Sequence, residues 1–389
     1  MIRTEEKAMK AYRNVNIYLQ NNGICQASIR FDDCIREIAE PQAGDEILSL
    51  PQDAVVLPGF VDSHVHGAGG ADACDGTQDA LQTIAQTLAK EGTTSFLATT
   101  MTIPETELVK ALEAVRDYRA SAPTDGARCV GVHLEGPFIA EAFCGAQDPA
   151  AIAKPDAALF DKLYHASGDA FRIVTVAPEV PEMLSLIDRA VQCGVSVGIG
   201  HTAAGEEEIR AAMQHGADGI THTYNAQSKL HHRQIGAVGM ALLEDGLYTE
   251  LIADTFHVTP SAMKLLIKCK PHDRMILITD AMRAKSTTEE VSDLGGQTVY
   301  VKDGQARLAD GTLAGSVLKM NVAIRNAVKI LGVSLEDASD FASANPAARL
   351  GLSDKIGGIA VGKAADFVVL DRDFEVLQTV RDGKVIFAK

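Results

Sequence analysis

The sequence predicts an α/β fold: a (β/α)8 barrel joined to a small β-sandwich domain that both chain ends build. Three observations predict it. Through the middle of the chain, short apolar stretches alternate with longer amphipathic ones, the pattern of strands linked by helices in a parallel sheet. Several of the apolar stretches close on a histidine or a carboxylate, as expected where strands end at the mouth of a barrel. Both chain ends instead carry short strand-like runs without helical period. The expected division is 1–57 with 352–389 for the sandwich and 58–351 for the barrel.

In chain order, the N-terminal part reads as strands over 15–19, 27–31 and 55–57. The first barrel strand runs into Val61-Asp62-Ser63-His64-Val65-His66. The remaining barrel strands are expected over 94–98, 129–134, 172–176, 195–199, 219–221, 249–252 and 275–278. Helices are expected in the gaps, for instance over 79–91, 105–120, 180–193 and 206–215. The last of these starts after Gly205 with acidic residues, which suit the positive end of a helix dipole. Toward the C-terminus, 366–370, 376–380 and 384–387 read as strands, and Asp382-Gly383 is a strong hairpin signal. A doubly wound open sheet is the competing architecture. It would gather ligands at one switch point rather than from strands spread along the chain.

The 389 residues are enough for a barrel of roughly 250 residues plus a smaller domain. A hydrophobic content of 46% with 23% charged residues supports a large core. The net charge of -16 offers no general basic field, so no nucleic acid and no anionic membrane surface is expected as a partner. Met1-Ile2-Arg3-Thr4-Glu5-Glu6-Lys7 carries charges where a secretory leader needs an apolar core, and a cytoplasmic location is expected. Seven cysteines without a CxxC pair fit reduced thiols. Cys144 lies near the candidate site but lacks a visibly electropositive setting.

The chemistry sits at the ends of the apolar stretches. His64 and His66 are two apart, so on a strand both rings share a face and can reach one ion. Glu135 closes Val130-Gly131-Val132-His133-Leu134 and can bind one ion or bridge two. His201 and His222 close two further stretches. With Glu135 they make three protein ligands and leave room for water, as in catalytic zinc sites. Taken singly, each has an ordinary explanation as a satisfied polar residue at a strand end; together, on different strands, they point to a metal-dependent hydrolase. Asp280 follows the last strand, where a carboxylate can take a proton from water and return it to a leaving amine. A ligand role or a helix cap is the alternative for Asp280. Lys229-Leu230-His231-His232-Arg233 is a cationic island in an acidic chain, on the loop after His222, and Arg233 offers a planar fork for phosphate oxygens.

These motifs resemble the amidohydrolase superfamily, and within it the deacetylases of amino-sugar phosphates. The resemblance rests on Pro58-Gly59-Phe60-Val61-Asp62-Ser63-His64-Val65-His66-Gly67, His133-Leu134-Glu135-Gly136-Pro137-Phe138, Gly200-His201-Thr202, Thr221-His222-Thr223-Tyr224-Asn225-Ala226, Thr279-Asp280-Ala281 and Leu313-Ala314-Gly315-Ser316. It covers nearly the whole chain. It implies a TIM-like barrel with a β-sandwich domain, usually in a homodimer. It implies that Glu135, His201 and His222 hold the main divalent metal, with His64 and His66 completing a second position that Glu135 bridges. One or two ions of zinc, iron, cobalt or manganese fit such ligands. Asp280 matches the catalytic acid and base. Asn225, Ala226, His257 and the Leu313-Ala314-Gly315 turn match sugar-contacting positions, as do Ala146 and Gln147. Arg233 matches a phosphate-binding arginine that reaches into the partner subunit's site.

Three segments depart from the family pattern: Gly145-Ala146-Gln147, where a histidine is usual, Asn225-Ala226-Gln227, and Arg233-Gln234-Ile235-Gly236. All three are expected on the sugar side. The expected reaction is therefore removal of acetyl from an N-acetylated amino-sugar 6-phosphate, first the glucosamine derivative and, as an alternative, its galactosamine epimer. Another amidohydrolase, acting on a cyclic amide or an acylated amino acid, is a second enzyme reading. A non-catalytic sugar-phosphate sensor is the reading from a different class, and a complete ligand set with a proton carrier speaks against it.

Overall fold

The computed structural model describes residues 8–20 and 22–389; the charged stretch Met1–Lys7 lies outside them. Eight parallel strands form the barrel: β1 (Phe60–Val65), β2 (Thr93–Thr99), β3 (Arg128–Glu135), β4 (Phe171–Val176), β5 (Ser196–Ile199), β6 (Gly219–Ile220), β7 (Tyr248–Ile252) and β8 (Met275–Ile278). Their order in the sheet is their order in the chain. The open-sheet alternative is thereby excluded. Every residue of β1, β2 and β8 is buried, as strands covered on both faces require. The seam between β8 and β1 is closed by backbone: Asp280 N–H donates to the His64 carbonyl at 2.8 Å and His66 N–H to the Ala281 carbonyl at 2.9 Å. Beneath it, the buried Asp62 carboxylate accepts from the Thr279 hydroxyl at 2.5 Å.

The helix over Glu105–Ala120 has the expected bounds. The expected helix over 180–193 is shorter, Met183–Gln192. Glu182, directly before it, takes a left-handed φ of 71°, which cannot extend a right-handed helix. Glu206–Gln214 begins where the acidic cluster suggested, and the Glu208 carboxylate accepts the Gly205 N–H at 3.0 Å.

The chain ends form one eight-stranded sheet. Lys10–Leu19, Gly23–Phe31, Ile35–Glu37, Glu46–Ile47 and Val55–Pro58 come from the N-terminal side; Phe367–Leu370, Val376–Arg381 and Lys384–Ala388 come from the C-terminal side. The two sets join where Val55–Pro58 pairs antiparallel with Phe367–Leu370. Phe31 and Phe367 lie three strands apart, about 14 Å in a flat sheet. Their ring centroids are 5.1 Å apart, with Tyr12 within 5.9 Å of both, so the sheet folds over its own small core. Asp382 and Gly383 make the predicted turn, both with positive φ. The chain passes from this sheet into the barrel through Gly59, where a Cβ would meet the Thr94 side chain at 2.3 Å.

A short antiparallel insert, Val291–Leu294, Gln297–Lys302 and Gln305–Arg307, follows β8 and was not expected. Its two turns, Gly295-Gly296 and Asp303-Gly304, all with positive φ, are hairpin signals that the sequence does contain. No helix among the described residues is long and apolar enough to cross a membrane.

Phe367→Ala empties the centre of the aromatic cluster. A loss of about 3–5 kcal/mol is expected, read from the urea midpoint. A loss below about 1 kcal/mol would mean the cluster does not hold the sheet closed.

Candidate metal centre at the barrel mouth

Each candidate ligand stands at the carboxyl end of its strand. His64 lies on β1 and His66 just beyond it; Glu135 is the last residue of β3. His201, His222 and Asp280 each follow β5, β6 and β8 by two residues. These three take left-handed φ values of 48°, 31° and 49°. Non-glycine residues rarely adopt such angles, and they concentrate where function holds the backbone in place. Here the turn swings each side chain over the mouth.

The side chains converge on Glu135. Its Oε1 lies 3.2 Å from His201 Nε2 and 2.9 Å from His222 Nε2, and those two nitrogens are 3.1 Å apart. Oε2 lies 3.2 Å from His66 Nε2. Asp280 Oδ1 is 3.4 Å from His64 Nε2 and 3.2 Å from His66 Nε2. Two ligand groups result, Glu135 with His201 and His222, and His64 with His66 and Asp280. The second differs from the sequence expectation in holding Asp280 alongside the histidine pair.

The residues fit a cation. His201 Nδ1 donates to the Phe143 carbonyl at 2.9 Å, which makes Nε2 the lone-pair nitrogen. That lone pair faces a carboxylate oxygen and a second imidazole, a repulsive arrangement unless a cation is shared. Atom separations of 2.9–3.2 Å are close to the ~3.3 Å edges of a tetrahedral set at about 2.0–2.1 Å from its metal. His64 Nε2 is buried and has no hydrogen-bond partner although two carboxylate oxygens face it.

Charge tells the same story. Burial disfavours the His64 imidazolium, but Glu135 and Asp280 outweigh it and hold its pKa well above the usual value. Burial likewise opposes ionisation of Asp280, and the His64 and His66 rings overcome it, drawing its carboxyl down to about 2. Two buried carboxylates demand positive charge beside them. His133, stacked edge-on against His64 at 4.4 Å, is pushed down to about 3 by burial and by His64, so it stays neutral, with Nε2 2.8 Å from the Thr175 hydroxyl.

A supporting layer was not legible in the sequence. Glu250 on β7 is fully buried; its Oε2 lies 3.2 Å from His64 Nδ1 and accepts the His222 N–H at 3.3 Å. Its Oε1 accepts from Arg349 Nη1 at 2.7 Å. Glu250 stands inside a β7 stretch that reads as plain strand, and Arg349 arrives from a helix a hundred residues later. The only local signal was a carboxylate within an apolar strand.

A cavity of about 370 Å3 opens over the cluster. Ala146, Gln147, Asn225, Ala226, His257, Leu313 and Gly315 line it, as does Asp280. Ala314 is fully buried behind that wall, with its N–H on the Ala306 carbonyl; the turn's contact surface is Leu313 and Gly315. Arg233 is exposed and does not line the cavity of its own chain. Two of the three sequence departures turn inward. Gln147 accepts the Thr102 N–H at 2.6 Å and donates to Glu135 Oε2 at 2.9 Å. Gln227 donates to the Thr221 carbonyl at 2.6 Å and accepts the Tyr224 N–H at 3.2 Å. Both amides are committed to protein partners rather than free for a sugar. Cys144 is half-buried, and all seven cysteines are free.

The family model described as Amidohydrolase family matches residues 55–386. The chain belongs to the amidohydrolase family. This amidohydrolase is 41% identical over 342 residues to N-acetylglucosamine-6-phosphate deacetylase of Bacillus subtilis (strain 168), covering 87% of this chain and 86% of the relative. It is 38% identical over 335 residues to N-acetylgalactosamine-6-phosphate deacetylase of Escherichia coli O157:H7, covering 86% and 88%. Among solved structures, N-acetylglucosamine-6-phosphate deacetylase from Thermotoga maritima matches with a TM-score of 0.89 at 33% identity, over 97% of this chain and 100% of that one. The Mycobacterium smegmatis enzyme, a mutant in complex with N-acetyl-D-glucosamine-6-phosphate, matches with a TM-score of 0.90 at 30% identity, over 98% and 100%.

If Glu250 orients the amidohydrolase's ligand imidazoles, Glu250→Gln should weaken metal affinity about 10–100-fold. Titration of the metal-free protein with zinc reads this directly. Unchanged affinity would reduce Glu250 to a counter-ion for Arg349.

Proposed function

We propose that this amidohydrolase hydrolyses the N-acetyl amide of an amino-sugar 6-phosphate, releasing acetate and the free amino sugar, with N-acetyl-D-glucosamine 6-phosphate as its first substrate. The observation that carries the reading is the convergence of four imidazoles and two carboxylates on one cavity. The named activities of the B. subtilis and M. smegmatis relatives support the substrate class. N-acetylgalactosamine 6-phosphate is the second reading, supported by the E. coli relative at similar identity and coverage.

In this reading Glu135, His201 and His222 hold one divalent ion, and His64 and His66, beside Asp280, offer a second position. Zinc, iron, cobalt and manganese all suit the ligand set. A cation there supplies Lewis acidity for the amide carbonyl and lowers the pKa of water. Asp280 does the proton work. It is the more open of the two cluster carboxylates, with its side chain 11% exposed against 2% for Glu135. It takes the proton of the attacking water and later delivers it to the departing amine. His257 Nδ1 donates to Asp254 at 2.6 Å, leaving Nε2 as its free ring nitrogen beside the cavity. When that nitrogen also carries a proton, it can donate to the carbonyl oxygen as negative charge grows.

Asn225, Ala226 and the Leu313–Gly315 turn bound the sugar. Arg233 reads as a phosphate ligand given to a partner's cavity, since it lies outside its own, and this favours a homodimer. Residues 1–57 with 352–389 serve as the support domain of a 58–351 barrel. A phosphorylated substrate does not cross a bilayer unaided, which favours a cytoplasmic location.

Asp280→Asn should keep metal content near normal while kcat falls at least about 10²-fold; acetate release with metal analysis of the same sample checks it, and retained turnover would move the proton transfer elsewhere. Arg233→Ala should raise KM about tenfold or more for phosphorylated substrate only. An equal effect on the unphosphorylated sugar would remove its phosphate role. Comparing kcat/KM on the two epimers decides between the substrates.

A further inference from the structure

A second cavity is larger than the metal-lined one. It has a volume of about 710 Å3 and lies at the opposite end of the barrel. Arg128, which opens β3, lines it, whereas Glu135, which closes β3, lies at the mouth. They are the two ends of an eight-residue strand, about 23 Å apart at the usual rise of a strand. Cys34, Arg381 and Asp382 form its far wall from the curled end sheet, so the cavity lies between that sheet and the barrel.

Its charge is opposite to that of the chain. Arg119, Arg128, Arg172, Lys355 and Arg381 line it against Asp354 and Asp382, five cations to two carboxylates, in a protein of net charge -16. Two of the five cations, Arg128 and Arg381, face carboxylates in place. Arg128 is engaged by Asp366 and Asp382 at 3.2 and 2.6 Å. Arg119, Arg172 and Lys355 line the cavity without an ion-pair partner among the described residues, and Arg172 Nε donates to the Val130 carbonyl at 3.4 Å. Arg381 is 5% exposed; its two terminal nitrogens bond the Gly126 and Pro123 carbonyls, and its Nε makes no hydrogen bond. Burial first, and then the neighbouring Arg128, push the Arg381 pKa down, although Asp382 faces its Nε at 3.5 Å. The remaining wall is largely apolar, with Tyr118, Val130, Leu352 and Ile356.

We propose that this cavity binds a small organic phosphate monoester. The phosphate sits among Arg119, Arg172 and Lys355, and the organic body rests on Tyr118, Leu352 and Ile356. Guanidinium forks match phosphate oxygens in pairs. The volume falls in the range of ligand sites, and the apolar wall gives an organic body contacts that free phosphate lacks. A nucleotide and a sugar phosphate share this chemistry.

Isothermal titration of the metal-loaded enzyme with AMP, fructose 6-phosphate and inorganic phosphate tests it. At least one of the two esters should bind about tenfold or more tightly than inorganic phosphate, and the tighter ester names the source. Arg119→Glu with Arg172→Glu, and separately the exposed Lys355→Glu, should each weaken that binding about tenfold or more while kcat for deacetylation stays unchanged. Arg233→Ala should leave it intact. No ester binding up to millimolar concentration, binding unaltered in folded Lys355→Glu and in the double variant, or loss of binding in Arg233→Ala would overturn the proposal.

Discussion

A carboxylate shut away from water has to be surrounded by donors or positive charge, and Glu135 meets that demand from many directions. Its two oxygens face His64, His66, His201, His222 and Gln147. Those side chains arrive from the ends of three other barrel strands and from the loop after β3. The barrel can gather them because its parallel strands all finish at one rim. Move Glu135 by one residue along β3 and its side chain would point to the other face of the sheet, leaving four imidazoles around nothing.

The rim is held from behind as well as in front. Glu250 and Arg349 form a fully buried pair at 2.7 Å beneath His64 and His222. Asp62 ties β8 to β1 just below the residues that close the seam. Such pairs are costly to desolvate and add little net stability, but they fix orientation. Three candidate ligands sit in left-handed backbone, so a scaffold that resists relaxation is required of this fold. Placement in the mouth and rigidity beneath it are one property seen from two sides.

The sugar side follows a looser logic. The amides of Gln147 and Gln227 are both consumed inside the protein. Gln147 acts on the second oxygen of Glu135, so this cavity residue also braces the carboxylate at the centre of the cluster. The insert over Val291–Arg307 adds Leu294 to the cavity and reaches across through Gln297 to the Ala146 carbonyl at 2.8 Å.

By itself the sequence determined the barrel, the two-ended sheet and the six residues at the rim. Those features have local signals: strand runs, a two-residue spacing such as His64 and His66, and turn pairs such as Asp382-Gly383 express forces that act within a few residues. The insert's Gly295-Gly296 and Asp303-Gly304 carried the same kind of signal and were legible too. Only the tertiary structure decided that Glu250 lies under His64, that Asp280 joins the histidine pair, that Gln147 faces Glu135, and that Arg119, Arg172 and Lys355 share a second cavity. Each is a relation between side chains distant in the chain. Its strength comes from burial and low local dielectric, which exist only once the fold has excluded water.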